Sequence, residues 1–174
     1  MWLSLFWMAC TGGGESGAED SADTGPCAGA ALVEIGDGTD PFVPLLDGGA
    51  VTMVHGPQGG WHMLAGVRVS HTDDIVSIHY TIETVPDRVS VSNNSYRVQL
   101  RDEGNCQGTY WNMYGYLDAS ELAVGELDTP PELLCGATLE LTIAVEDGDG
   151  KGAEASLQVT AAADPLDQCG PPEG

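Results

Sequence analysis

Residues 139–160 read LELTIAVEDGDGKGAEASLQVT. Leu139, Leu141, Ile143 and Val145 alternate with Glu140, Thr142, Ala144 and Glu146. Beyond the turn Asp147-Gly-Asp-Gly-Lys151, the residues Ala153, Ala155, Leu157 and Val159 alternate with Glu154, Ser156, Gln158 and Thr160. Period-two alternation sends successive side chains to opposite faces of a strand, so the stretch predicts an antiparallel hairpin with one apolar and one wet face. Asp and Gly tolerate the backbone conformations of a tight reversal, which accounts for their place at the turn.

The same pattern extends outward from this hairpin. Ile75 to Glu83 sends Val76, Ile78, Tyr80 and Ile82 to one face, and Trp61 to Val69 does so with Trp61, Met63, Ala65, Val67 and Val69. Val51 to His55 precedes it across the loop Gly56-Pro-Gln-Gly-Gly60, which reads as a hairpin connection. Arg88 to Val91 and Tyr96 to Leu100 flank a predicted turn at Asn93-Asn94-Ser95. Tyr110 to Leu117 and an edge segment at Leu32 to Ile35 bring the count to about eight or nine strands. Ala119 to Leu127 is the nearest approach to a helix, cut short by Gly125 and the Pro130-Pro131 pair. The expectation is an all-β sandwich. Its closing hairpin, with Val145, Asp147 and Gly150 at the turn, resembles the last two strands of immunoglobulin-like extracellular modules, which implies an immunoglobulin-like antiparallel sandwich.

Among the 174 residues, 27 are acidic and 5 basic, giving a net charge of −22. The basic residues Arg68, Arg88, Arg97, Arg101 and Lys151 are scattered. Nucleic-acid binding needs a clustered basic footprint, so that class of partner is excluded. Anionic lipid headgroups are repelled likewise, leaving an anchor as the route to a membrane, and self-repulsion favours a monomer. Hydrophobic residues make up 42% of the chain in patterned runs, enough to offset the ordering entropy of a folded domain.

The chain opens Met1-Trp-Leu-Ser-Leu-Phe-Trp-Met-Ala-Cys10. This run is far shorter than the roughly 20 residues that span a bilayer. It resembles the end of a bacterial lipoprotein signal peptide, where a small residue precedes the cysteine that is lipidated. A start placed slightly downstream of the natural one would account for both the brevity of the run and the missing basic residues. Residues 11–26 (TGGGESGAEDSADTGP) are small, polar, acidic or turn-forming, the composition of a flexible spacer. The expected organisation is a signal-like segment at 1–9, an anchor cysteine and acidic linker at 10–26, and a β-sandwich domain at 27–174. That layout is similar to the many small exported bacterial lipoproteins, and it implies an extracytoplasmic protein anchored by lipid at the outer membrane or cell surface.

With Cys10 lipidated, Cys27, Cys106, Cys135 and Cys169 remain, an even number that reads as two disulfides in an exported domain. Sequence does not choose among the three pairings; we expect Cys106 with Cys135, clipping the irregular segment between them, and Cys27 with Cys169, joining the ends. CxxC-type spacing for zinc is absent.

Three clusters could carry chemistry. Tyr110, Asn112, Tyr114 and Tyr116 fall on one face of their strand, with Trp111, Met113 and Leu117 on the other; outward tyrosines can stack on sugar rings or anchor a protein interface. His55 and His62 flank the Gly/Pro loop. If Val69 pairs with Val76, then His62 falls opposite Glu83 with His79 nearby, a set that could take copper or zinc. Glu146, Asp147 and Asp149 offer oxygens at the closing turn, but the twelve-residue calcium loop with its terminal Glu is missing. No Gly-x-Ser-x-Gly, His-Glu-x-x-His or phosphate-cradling Gly loop occurs. The sequence therefore predicts a non-catalytic envelope lipoprotein without a cofactor, binding an envelope protein or polysaccharide. The alternative is a metal-binding envelope protein built on the histidines.

Overall fold

The computed structural model describes residues 27–57, 59–123, 129–165 and 169. The signal-like segment, Cys10 and the spacer lie outside the described residues. Within them stand nine strands and one short helix: β1 (Leu32–Gly36), β2 (Gly49–His55), β3 (Trp61–Ser70), β4 (Ile75–Thr84), β5 (Ser90–Gln99), β6 (Arg101–Gly104), β7 (Gln107–Leu117), α1 (Pro130–Leu134), β8 (Thr138–Asp147) and β9 (Gly152–Ala163). This is the all-β class that the alternation predicts. No helix among the described residues is long and apolar enough to cross a membrane.

The strands follow one hydrogen-bonded path, β5-β4-β8-β9-β2-β3-β7-β6, with β1 added against β3. The path doubles back so that β5 meets β7. There the Asp118 amide donates to the Val91 carbonyl at 2.8 Å, and the Tyr96 hydroxyl donates to the Tyr114 carbonyl. The core lies between the two layers. Val76, Ile78, Tyr80 and Ile82 of β4 and Leu139, Leu141, Ile143 and Val145 of β8 face Met53, Met63, Ala65, Val67, Val69 and Met113 from the other layer, all buried. Each buried Val, Leu or Ile side chain contributes about 1.5–3 kcal/mol, so the alternation fixes which face turns inward.

The β8–β9 and β2–β3 hairpins form as the sequence predicts, with Leu141 beside Leu157 and Met53 beside Met63. Four expectations are corrected. First, β2 and β9 run parallel, Gly49 beside Val159 and Met53 beside Ala163, so the sheet is mostly rather than wholly antiparallel. Second, β5 runs unbroken through Asn93, Asn94 and Ser95, which pair with Thr81, Tyr80 and His79. A partner strand along the whole segment overrides its local turn preference. Third, β3 and β4 do not pair. Val69 stands between Val33 and Gly108, and Val76 between Val98 and Asp147. Both edges of each strand are thereby taken, and the 71–74 connection crosses between layers.

Fourth, the disulfides are Cys27–Cys106, with Cα atoms 5.4 Å apart, and Cys135–Cys169. The expected Cys27–Cys169 link would join opposite poles. Cys27 sits where the chain approaches β1, beside the β6–β7 turn carrying Cys106 and the β8–β9 turn, whose Lys151 Nζ donates to the Cys27 carbonyl at 3.4 Å. Cys135 follows α1 at the other pole, where Gly136 and Ala137 bond to Ala161 of β9. Disulfide geometry requires Cα atoms within about 7 Å, far less than the length of these strands. No helix forms over the described part of the Ala119–Leu127 stretch, residues 119–123, the remainder lying outside the described residues, and the proline pair that follows begins a helix of its own. Pro130 and Pro131 open α1 behind Thr129, whose amide and hydroxyl both donate to the Glu132 carboxylate at 2.7 and 2.8 Å.

Candidate binding face

Strands β3 and β7 pair along their length, with His62 beside Tyr116, Met63 beside Gly115, Leu64 beside Tyr114 and Ala65 beside Met113. Met63, Ala65 and Met113 are inward and buried. Alternation therefore places His62, Leu64, Tyr114 and Tyr116 together on the outer face. Gly115 is inward as well, because the Tyr80 ring fills the space a side chain would take: a Cβ there would lie 2.7 Å from Tyr80 Cε1.

A register shift between Ala65 and Val67 changes the expected tyrosine row. Trp111 and Asn112 together face Gly66, and Asn112 takes a positive φ of 60°. Such a bulge reverses the alternation on one side of it. Tyr110 consequently pairs with Val67 and packs against the core rather than joining the outer face. Trp111 lies outside the core cluster, with the Arg101 guanidinium 4.4 Å above its ring. Asn112 stays with the row: its backbone amide donates to the Gly38 carbonyl at 3.1 Å, and its side-chain amide donates to the Tyr114 hydroxyl at 3.1 Å.

The Tyr114 and Tyr116 rings lie nearly parallel, 17° apart with centroids separated by 5.9 Å. His62 meets them edge-on at 4.7 and 6.2 Å. Exposure is graded across the set: Tyr116 is 61% exposed, whereas His62 is only 5% exposed. Burial, helped by the nearby His55, holds the His62 imidazole below its ordinary value of 6.5, so the ring is neutral at pH 7. Val54 pairs with His62 and extends the face onto β2. Beside it a shallow cleft of about 210 Å³ opens between Leu45, Thr52, Val54 and Leu64. Among the described residues the one carboxylate on its wall is Asp37, which accepts from the amide and hydroxyl of Thr39 at 2.9 and 2.6 Å.

The histidines do not converge. His55 packs its ring on Trp61 at 4.8 Å, and it neighbours Val54, so it points away from the face holding His62. His79 bonds Asn93 Oδ1 at 2.7 Å on the β4–β5 sheet. Glu83 pairs with Arg88 at 2.8 Å. Because β3 and β4 occupy different layers, His62 does not face Glu83 or His79, and among the described residues no group of three His, Cys, Asp or Glu side chains could hold a metal ion. At the closing turn the Asp147 carboxylate is already engaged. It accepts from the amides of Asp149 and Lys151 at 3.0 and 2.9 Å and from that of Asp73 at 3.2 Å, stitching the β8–β9 turn to the β3–β4 connection.

The role of His62 and Leu64 as the floor beside the tyrosines was missed in the sequence, although alternation along Trp61–Val69 already put them outward. What alternation could not supply was β7 as their neighbour, a pairing across some fifty residues.

No protein-family model and no curated protein matches this chain. Among solved structures it is similar to the CooA pilin subunit from enterotoxigenic Escherichia coli, at 15% sequence identity over 76% of this chain and 99% of that one, with a TM-score of 0.39. A likeness that slight carries no argument about function.

Proposed function

We propose that this chain is a non-catalytic, lipid-tethered protein of the cell envelope whose sandwich binds a protein or polysaccharide through the outer face of β3 and β7. The near-parallel Tyr114–Tyr116 pair, with Tyr116 largely exposed, carries the proposal. Solvent-exposed tyrosines give up little conformational entropy on binding and offer an apolar ring with a polar tip. Two disulfides support an oxidising, extracytoplasmic setting.

Geometry favours the same reading. The chain approaches the domain at Cys27, held beside the end of β3 where Ser70 pairs with Gln107. His62 and Tyr116 pair eight residues further back along β3, about 26 Å away. A domain tethered through Cys10 thus carries its tyrosines toward the pole that points away from the membrane.

The test is the double replacement Tyr114→Ala/Tyr116→Ala in the full-length protein, displayed on the envelope. Binding to envelope material should be lost while the thermal melt stays near that of the parent. A large loss of stability with binding retained would assign these rings to the fold instead. Mass analysis of the N-terminal peptide from Cys10→Ser and parent chains tests the tether separately; a parent chain with an unmodified Cys10 would sink it.

A further inference from the structure

The geometry points to an uncharged glycan as the ligand of this face, an inference that rests on the binding reading above. Charge is the first reason. The chain carries −22, and three of its arginines are committed to carboxylates: Arg68 to Glu34, Arg88 to Glu83 and Glu140, and Arg101 to Asp40 and Glu103. An anionic polysaccharide or an acidic protein would be repelled by such a field. A basic partner would be drawn to carboxylates, yet the Val54, His62, Leu64, Asn112, Tyr114 and Tyr116 surface holds none, Asp37 on the adjoining cleft wall is engaged by Thr39, and burial keeps His62 neutral. The face is an uncharged island on an acidic molecule, and the complement of an uncharged island is an uncharged ligand.

The second reason is what the island is made of. A stable protein interface covers about 800 Å² on each partner, around a buried apolar centre. Of this face's own side chains only Tyr116 and Asn112 are exposed, and the other four are buried or half-buried. An interface of that size would have to spread beyond the island onto the acidic surround. A sugar ring needs less. Its C–H face packs on an aromatic ring, and its hydroxyls need donors and acceptors at the ring's edge. Here the Tyr114 hydroxyl and the Asn112 amide already form a polar pair at 3.1 Å beside the rings. The cleft of about 210 Å³ along Val54 and Leu64 leaves room for the glycan chain to continue. Tyr116 is the stacking platform, and Tyr114 and Asn112 select hydroxyl orientation.

The test is native affinity electrophoresis of the 174-residue chain at pH 7 through gels containing a mixed-linkage β-glucan, a galactomannan, dextran or, as the anionic probe, alginate. At least one neutral polymer should retard the parent chain. Tyr116→Ala should weaken that retardation by about tenfold, the loss of one stacking contact, with an unchanged melting midpoint. Alginate should not retard it. No retardation by any neutral polymer, equal retardation by alginate, or full retardation of Tyr116→Ala overturns the assignment. A photo-crosslinking residue placed at Tyr116 and irradiated on whole envelopes separates the two levels. A Tyr114-dependent cross-link to a protein, with no neutral glycan bound, overturns the glycan class while the binding reading stands. No glycan retardation and no cross-link overturns both.

Discussion

The hydroxyl of Tyr80 is buried at the centre of the sandwich with no hydrogen-bond partner among the described residues, and its side chain is fully enclosed. Desolvation drives its ionisation far above the ordinary range, so it stays a neutral O–H donor with nothing to receive it. Leaving such a group unpaired costs about 1–3 kcal/mol in mutational series. Tyr80→Phe keeps the ring that packs on Gly115 and removes only the orphaned oxygen. The void left is smaller than a methylene, and the lost dispersion contacts take back a few tenths of a kcal/mol. The net expectation is a gain of about 1 kcal/mol, or roughly 3–5 °C in melting midpoint for a domain of this size. Urea denaturation monitored by tryptophan fluorescence should show a higher midpoint at an unchanged slope, because the surface exposed on unfolding is the same. A loss of 1 kcal/mol or more would refute the reasoning, since it would mean the hydroxyl has a partner in solution. The neighbouring Gly115→Ala serves as the opposite control. Its Cβ would sit 2.7 Å from Tyr80 Cε1 and 2.9 Å from Ile82 Cδ1, both on fully buried side chains, and overpacking of that kind costs about 1–3 kcal/mol.

Other outcomes follow from features at the two poles and on the surface. Opening Cys27–Cys106, whose sequence separation is 79, should cost about 4.5 kcal/mol in the chain-entropy model, against about 3.8 kcal/mol for Cys135–Cys169 at a separation of 34; Cys→Ser pairs compared by denaturation check the order, and a reversed order would contradict it. Asp147→Ala strips three backbone amides of their acceptor and should cost about 2–4 kcal/mol, with the melt of the parent unmoved by calcium or by a chelator. The Glu103 carboxyl is held below its usual range by hydrogen bonds from Thr109 and Arg101, and that of Asp118 by Ser120. For both, the folded value is depressed, so their stabilisation is complete above the unfolded value near pH 4 and is lost as pH falls through the folded value. Glu103→Gln should flatten the acid limb of the melting profile, and an unchanged limb would rule this contribution out. His62 is depressed too, so protonating it works against the fold. An NMR titration should place the His62 midpoint below 6.5, and a midpoint at or above 6.5 would contradict the burial argument.

The parts of this architecture that sequence displays are those where neighbours in space are neighbours in the chain. Leu139 to Val145 and Ala153 to Val159 announce their hairpin because each strand shows its buried face and the turn between them shows its Asp-Gly chemistry. Tyr80 is legible as core for the same reason, standing in step with Val76, Ile78 and Ile82. The failures share a different cause. Straight alternation through Trp111–Asn112 puts Tyr110 with Tyr114, but one bulged residue there reverses every assignment on its far side. Asn93-Asn94-Ser95 has the composition of a turn, but β4 supplies a full-length partner that composition cannot reveal. Cysteine pairing depends on which strand ends share a pole, a property of the whole path. The tyrosine face sits at the join of these regimes: each tyrosine is visible on its strand, and His62 becomes a neighbour only when β3 pairs with β7.

The parallel seam between β2 and β9 sets a schedule for the chain. Gly49 lies beside Val159, so the strand that links the two layers waits for a partner 110 residues downstream. A chain emerging N-terminus first holds β2 with one edge open, its Val51 and Met53 uncovered, until almost the whole domain has appeared. Contacts of such long sequence separation form late and leave the intermediate open to mispairing along that edge. Completion of this domain therefore belongs after the last strand has cleared the machinery that delivers it. A chain truncated before Gly152 would lack β9, the strand that joins the two halves of the sandwich.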